Sequence, residues 1–339
     1  MRTLKMDEKN TFVDQLRKVV YGKGVRVVLP ESEETRILEA AIIVQRDNLA
    51  VPIIIGDREK MLQVSREHGL DVSQIDIVSP EESGSFDKYV SLYNQQSSLR
   101  EGAVKRLLRK PLYFALMMVK AGDADAMVGG AVYETASIIM AGTMVTGLKE
   151  GVSTPSSFFI MDIPGFAGGE NGKLIFADCA VLPDPTPEEL ADIAIASAES
   201  AKSVLGCEPH VAMLSFSTKG SSMEPQAEKI VQATGIVNER RPELLVDGEL
   251  QADAAIIPSI AQKKVKEGSS VAGKANVLIF PDLNSGNIAY KLVQRLANAD
   301  AIGPLLQGFA QPICDLSRGA SVNDIVGSII VTAAQAING

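Results

Sequence analysis

The 339-residue chain has no tryptophan, two histidines and three cysteines. Cys179, Cys207 and Cys314 are widely separated and form no C-x-x-C pair. A zinc site or a disulfide framework is therefore not expected, and the usage fits a reducing cytosol. His68 falls at a predicted helix end and His210 opens a predicted strand, so a Ser-His-Asp or Cys-His centre is not expected. Proton transfer, if the chain performs it, falls to a carboxylate. No apolar run reaches the roughly 18 to 20 residues that span a bilayer. The opening MRTLKMDEKNTF carries no apolar signal region, so a cytoplasmic protein without membrane attachment is expected. Forty-two acidic against 33 basic residues give a net charge of −9, which argues against nucleic acid as a partner. A small anion would have to be held by a local cluster of Arg, backbone N–H groups and helix N-termini.

What is present is an alternation of strand-like and helix-like segments. Val25–Leu29 and Val51–Ile55 are β-branched runs, followed by helical spacing over Glu33–Arg46 and Arg58–His68. Pro111–Ala121 predicts a helix, Ala124–Val128 a strand, and Glu134–Leu148 a helix. Ser157–Met161 and Lys173–Ala177 flank a Gly-rich turn and predict a hairpin. Thr186-Pro187-Glu188-Glu189 predicts a capped helix start, with the helix reaching Leu205 before Gly206. Strands are then predicted at His210–Phe216, Leu244–Asp247 and Asn276–Phe280. Helices are predicted at Glu224–Thr234, Ala252–Lys264 and Asn287–Ala297. The βαβα order implies an α/β fold with mostly parallel sheets and helices on both faces. The length argues for two domains. The boundary is placed near Gly147–Ser153, giving 1–150 plus 304–339 and 151–303.

Gly268 to Ala275 nearly matches a P-loop, but Ala275 has no hydroxyl for magnesium and a strand follows instead of a helix. No G-x-G-x-x-G follows a strand, so a dinucleotide fingerprint is absent. Polar clusters at strand ends, Ser215–Gly220 and Asn284–Asn287, are ligand-loop candidates or simply turns and caps.

The densest polar constellation lies near the C-terminal end of the sequence: Gly303–Gly308, then Asp315-Leu316-Ser317-Arg318-Gly319, then Asp324. Ser317 and Arg318 precede a predicted helix from about Val322, and helix N-termini collect anions. Arg318 supplies a planar grip on phosphate or a polarised carbonyl, or else it pairs with an acidic neighbour such as Asp315. Ser321 and Asp324 have capping-box spacing. That role would explain Asp324 by itself, and a carboxylate in the first turn also faces an anion site.

These blocks, with GDADAMVGGA (122–131), SSFFIM (156–161), FADCAVLPDPTPEELADIAIASAES (176–200), VAMLSFSTKGS (211–221), DGELQADAA (247–255) and GKANVLIFPDLNSGNIAYKLVQRL (273–296), resemble the phosphate acetyltransferase family in order and spacing. The resemblance covers the chain from about Pro111 onward. It implies two α/β/α domains with the active site in the cleft between them, a homodimer, and a place in acetate metabolism. It also implies reversible acetyl transfer between acetyl phosphate and coenzyme A, giving acetyl-CoA and phosphate, with no metal, no covalent acyl-enzyme and no cofactor, coenzyme A being a substrate. By the family's S-R-G-x-x-x-x-D pattern, Asp324 is the base for the thiol, Arg318 grips phosphate or carbonyl oxygen, and Ser317 steadies developing charge. Thr135, Ser217, Tyr290, Lys291 and Arg100 are expected substrate contacts. Ala320 stands where many relatives have Cys, and Met140 where many have Arg; Arg100 is the candidate to supply the anion contact Met140 lacks. Two alternatives stay open: the same chemistry on propanoyl or butanoyl groups, and a non-catalytic acetyl-CoA-sensing module.

Overall fold

In a computed structural model, which describes residues 12–266 and 268–338, one hydrogen-bonded sheet runs through the molecule. Its strands are β1 (Arg26–Leu29), β2 (Val51–Ile55), β3 (Asp76–Val78), β4 (Ala126–Gly129), β5 (Ser156–Asp162), β6 (Lys173–Ala177), β7 (His210–Leu214), β8 (Leu245–Leu250), β9 (Val277–Ile279), β10 (Asp300–Gln307) and β11 (Ile313–Asp315). The helices are α1 (Phe12–Val20), α2 (Thr35–Arg46), α3 (Arg58–Glu67), α4 (Phe86–Asn94), α5 (Glu101–Leu108), α6 (Pro111–Lys120), α7 (Thr135–Val145), α8 (Pro187–Ser200), α9 (Pro225–Arg240), α10 (Ala252–Ile256), α11 (Pro258–Lys264), α12 (Leu283–Leu296) and α13 (Val322–Asn338).

The strand order is β3-β2-β1-β4-β11-β10-β5-β6-β9-β7-β8. Pairing is parallel in both flanks and antiparallel only around β10, β5 and β6, so the expected mostly parallel α/β fold is present. The flanking strands are apolar on both faces because helices cover both. Val27 and Leu29 of β1 point into one apolar cluster, which also takes α2, α8, α9 and α13 and extends along the whole sheet. Val28 points to the opposite side, where the core is split into a cluster with α4–α7 and a separate one with α10 and α12.

Local chemistry accounts for most element ends. The Thr186 hydroxyl accepts from Glu189 N at 3.2 Å, while Glu189 Oε2 accepts from Thr186 N at 2.8 Å; this is the predicted capping box of α8. The helical run reaches Leu205 as expected: its α-helical part ends at Ser200, a wider π turn continues it over Ala201–Leu205, and left-handed Gly206 ends it. The predicted helix Ala252–Lys264 is two helices. Pro258 has no N–H to continue the ladder and holds Ile257 extended, at φ −112° and ψ 110°. The P-loop lookalike leads into β9, as the sequence indicated.

Strand β10 escaped the sequence reading because Gly303-Pro304 interrupts it, and proline inside a run argues against a strand. The strand accommodates that pair at a register irregularity between Ile302 and Leu305 against β5. From β10 the chain turns back, β11 pairs with β4, and α13 packs on α2 and α1. Arg318 and Asp324 are thereby carried to the strand ends of the N-terminal half.

Candidate functional site

The carboxyl ends of the parallel strands β1, β4 and β11 converge, and such strand ends are where ligands sit in open α/β sheets. Just after β1, Glu31 turns inward and is 6 % exposed. Its carboxylate accepts from the backbone N–H groups of Gly130, Ala131, Val132 and Tyr133, at 2.7–3.1 Å. These four donors, between β4 and α7, form a nest that suits an anion. Gly130 has φ +114°, and a Cβ there would sit 2.6 Å from the backbone nitrogen of Leu316, so only glycine lets β4 and β11 close this tightly.

Asp315, the last residue of β11, is 2 % exposed. Thr135, the first residue of α7, donates its hydroxyl to Asp315 Oδ2 at 2.5 Å. Asp315 Oδ1 is buried without a partner among the described residues. Burial pushes this carboxyl up to about 6; Glu31's charge adds to the rise, and the Thr135 hydrogen bond and the Arg318 charge oppose it. Next comes the loop bearing Ser317 and Arg318, then α13. In its first turn Asp324 Oδ2 accepts from Ser321 N at 2.9 Å and from Ser321 Oγ at 2.8 Å, while Asp324 N donates to Ser321 Oγ at 3.2 Å. The capping box is therefore formed, and Asp324 remains exposed. Arg318 is largely exposed, 4.0 Å from Glu134 and not paired with Asp315.

Facing this wall across a cleft of about 1270 Å³ are Phe159, Ala180, Tyr290 and the β10 segment through Gly303-Pro304. Tyr290 stacks on Phe159 with ring centroids 4.2 Å apart and planes 15° from parallel. Thr135, Tyr290, Ser317, Arg318 and Asp324 thus all line one cavity. The N-termini of α7 and α13 open on the same space and favour negative charge there.

The other expected contacts lie elsewhere. Ser217 is fully buried and donates to Glu249 Oε1 at 2.8 Å, organising the loop after β7. Lys291 is exposed beside Tyr290, its Nζ 5.7 Å from the ring centroid, and is not among the cleft-lining residues. Arg100 is exposed at the start of α5 and does not line the cleft. Met140 is 53 % exposed on α7. Glu31 was missed by the sequence reading; its one local signal, a carboxylate two residues after an apolar strand, is blurred by Glu33 and Glu34 close behind it. Among the described residues, no group of three or more His, Cys, Asp or Glu side chains could hold a metal ion, and no helix is long and apolar enough to cross a membrane.

Residues 11–333 match the family model described as phosphate acetyl/butaryl transferase. The chain belongs to this family. It is 46 % identical over 314 residues to the phosphate acetyltransferase of Thermoanaerobacterium thermosaccharolyticum, covering 92 % of this chain and 95 % of that one. It is also 46 % identical over 317 residues to the phosphate acetyltransferase of Clostridium acetobutylicum, covering 93 % and 95 %. Among solved structures, a phosphotransacetylase from Streptococcus pyogenes superposes with a TM-score of 0.90 at 40 % identity, covering 98 % of this chain and all of that one. The family match extends the likeness into the region before Pro111.

Proposed function

We propose that this chain is a phosphate acetyltransferase, moving an acetyl group reversibly between acetyl phosphate and coenzyme A. The observation that carries the reading is the meeting of Ser317, Arg318 and Asp324 in one cleft of a chain that matches the family over residues 11–333. Asp324 takes the proton of the coenzyme A thiol. A thiol of pKa about 8.5 is mostly protonated at neutral pH, so a nearby carboxylate raises the reactive fraction. The thiolate then attacks the acetyl carbonyl carbon; a C–S bond forms, the C–O bond to phosphate breaks, and phosphate leaves with the bonding pair. Arg318 and the Ser317 hydroxyl stabilise the oxyanion and the departing phosphate. The N-termini of α7 and α13 add to the same field.

Asp324 keeps the capping role as well. Its Oδ2 is engaged by Ser321, and Oδ1 has no partner among the described residues. One carboxylate can therefore cap α13 through one oxygen and serve the thiol through the other. No resident cofactor enters this scheme.

The assembly we propose is a cytoplasmic homodimer working in acetate metabolism. Helix α12 supports the dimer: its sole buried residue is Gly286, while Ile288, Leu292 and Leu296 form an exposed apolar stripe at four-residue spacing. The division into 1–150 plus 304–339 and 151–303, with the cleft between them, is favoured by the two separate apolar clusters on one face of the sheet.

The test is thioester formation from coenzyme A with acetyl, propanoyl and butanoyl phosphates in turn. Fastest turnover with acetyl phosphate is the expected result. A faster butanoyl reaction would move the reading to the longer acyl group. Binding of acetyl-CoA with no turnover on any acyl phosphate would make the chain a sensor.

A further inference from the structure

The loop that carries Ser317 and Arg318 is strapped from behind by one side chain of α2. Arg36 Nη1 donates to the carbonyl oxygen of Arg318 at 2.9 Å and to that of Ala320 at 2.8 Å. The guanidinium is itself fixed. Glu34 accepts from Arg36 Nε at 2.9 Å and from Nη2 at 3.0 Å, a two-point fork, and also caps α2 by accepting from Arg36 N at 3.2 Å. Mutual contact holds the Glu34 carboxyl below its ordinary range, so the fork stays charged.

The two gripped carbonyls belong to the peptide units 318–319 and 320–321. A trans peptide is planar, and its N–H points opposite to its C=O. The N–H of Gly319 therefore points away from Arg36, and it donates to Ser317 Oγ at 3.3 Å. The N–H of Ser321 also points away, and it donates to Asp324 Oδ2 at 2.9 Å. Each carbonyl held by Arg36 thus aims the opposite end of its peptide at one of the cleft's reactive side chains. The positive charge on the carbonyl side also polarises both units, strengthening their N–H donors.

We propose that Arg36, locked by Glu34, is a positioning residue that orients Ser317 and Asp324 through these two peptide units. The inference rests on the acetyl-transfer reading above. Arg36 is not among the cleft-lining residues, so it acts only through the loop. Its loss lets the peptide planes rotate and swings the hydroxyl and carboxylate away from their aim, while the opposite wall of the cleft, with Phe159 and Tyr290, is left in place. Misplacement of about 1 Å can cost on the order of 100-fold in rate.

The experiment compares wild type, Arg36→Gln, Arg36→Ala and Glu34→Gln by steady-state kinetics with acetyl phosphate and coenzyme A, alongside thermal unfolding of each. Arg36→Ala is also assayed with added guanidinium ion. The expected result is kcat lowered roughly 100-fold in both Arg36 variants, and less in Glu34→Gln, with KM for coenzyme A within about threefold of wild type. Guanidinium should restore part of the Arg36→Ala rate. Unchanged kcat in the folded Arg36 variants would overturn the proposal. So would a fall in kcat that follows loss of fold and is not rescued by guanidinium. Absence of turnover in wild type would instead overturn the acetyl-transfer reading, so the two failures are distinguishable.

Discussion

The hydroxyl of Thr135 donates to Oδ2 of Asp315 at 2.5 Å, joining the first turn of α7 to the end of β11. This is the one hydrogen bond found for that carboxyl group, since Oδ1 is buried without a partner among the described residues. Burial pushes the Asp315 carboxyl up to about 6, against about 3.9 in an unfolded chain. Between those two pH values the folded protein holds a proton that the unfolded chain has released. Stability from this group therefore falls as pH rises from about 4 to about 6, by about 3 kcal/mol in all. Asp123 and Asp125, whose carboxyls are held below their ordinary range by Lys88 and Arg26, act on the acid side of that window. Denaturant unfolding at pH 4, 5, 6 and 7 should show a smaller loss for Asp315→Asn than for wild type. Identical profiles would remove Asp315 from this role.

Asp324 is expected to do two separable things. Asparagine retains an oxygen that can accept from Ser321 N, whereas alanine has none. Asp324→Ala should lose the reciprocal half of the capping box, about 0.5–1.5 kcal/mol of stability, and Asp324→Asn much less. Both should lose turnover by a factor on the order of 10² to 10⁴. If Asp324→Asn turned over at the wild-type rate, the residue would be a cap alone.

Glu31 fills a nest of four backbone donors, and the strand-to-helix turn before Thr135 depends on it. Each buried donor left unsatisfied costs about 1–3 kcal/mol. Glu31→Ala should therefore lower stability by about 3 kcal/mol or more in denaturant unfolding, with Glu31→Gln in between. A loss below about 1 kcal/mol would mean that water replaces the carboxylate without penalty.

The apolar stripe of α12 gives a prediction independent of the chemistry. Leu292→Glu with Leu296→Glu should shift the sedimentation behaviour from dimer to monomer while leaving the far-ultraviolet circular dichroism unchanged. A variant that sedimented like a dimeric wild type would place the interface on another surface.

Much of the fold was legible because its signals are local. β-Branched runs such as Val25–Leu29, the Thr186 capping box and the Ser321/Asp324 box depend on residues three to five apart, and the structure contains all of them. Strand β10 was hidden because its proline is tolerated only through pairing with β5, more than 130 positions away in the chain. The site shows the same division. The loop with Ser317, Arg318 and Asp324 could be read from its composition, and the stack of Tyr290 on Phe159 places one expected contact opposite it. The contribution of Glu31, about 100 residues from its donors, and of Arg36, more than 280 from the carbonyls it grips, exists only once the sheet order is fixed. Ser217 was expected as a ligand contact; in the structure its hydroxyl donates to Glu249, a partner 32 positions away that no local pattern announces.

The most direct test of the account is the rate of thioester formation from acetyl phosphate and coenzyme A for wild type and Arg318→Gln side by side. Arg318 is exposed and only loosely paired with Glu134, so its replacement should change stability by less than about 0.5 kcal/mol. The account predicts rapid turnover in wild type and a loss of about 2.7–4 kcal/mol of transition-state stabilisation in the variant, or roughly 10² to 10³ in kcat. Equal turnover by the two proteins would contradict the placement of the reaction at this loop.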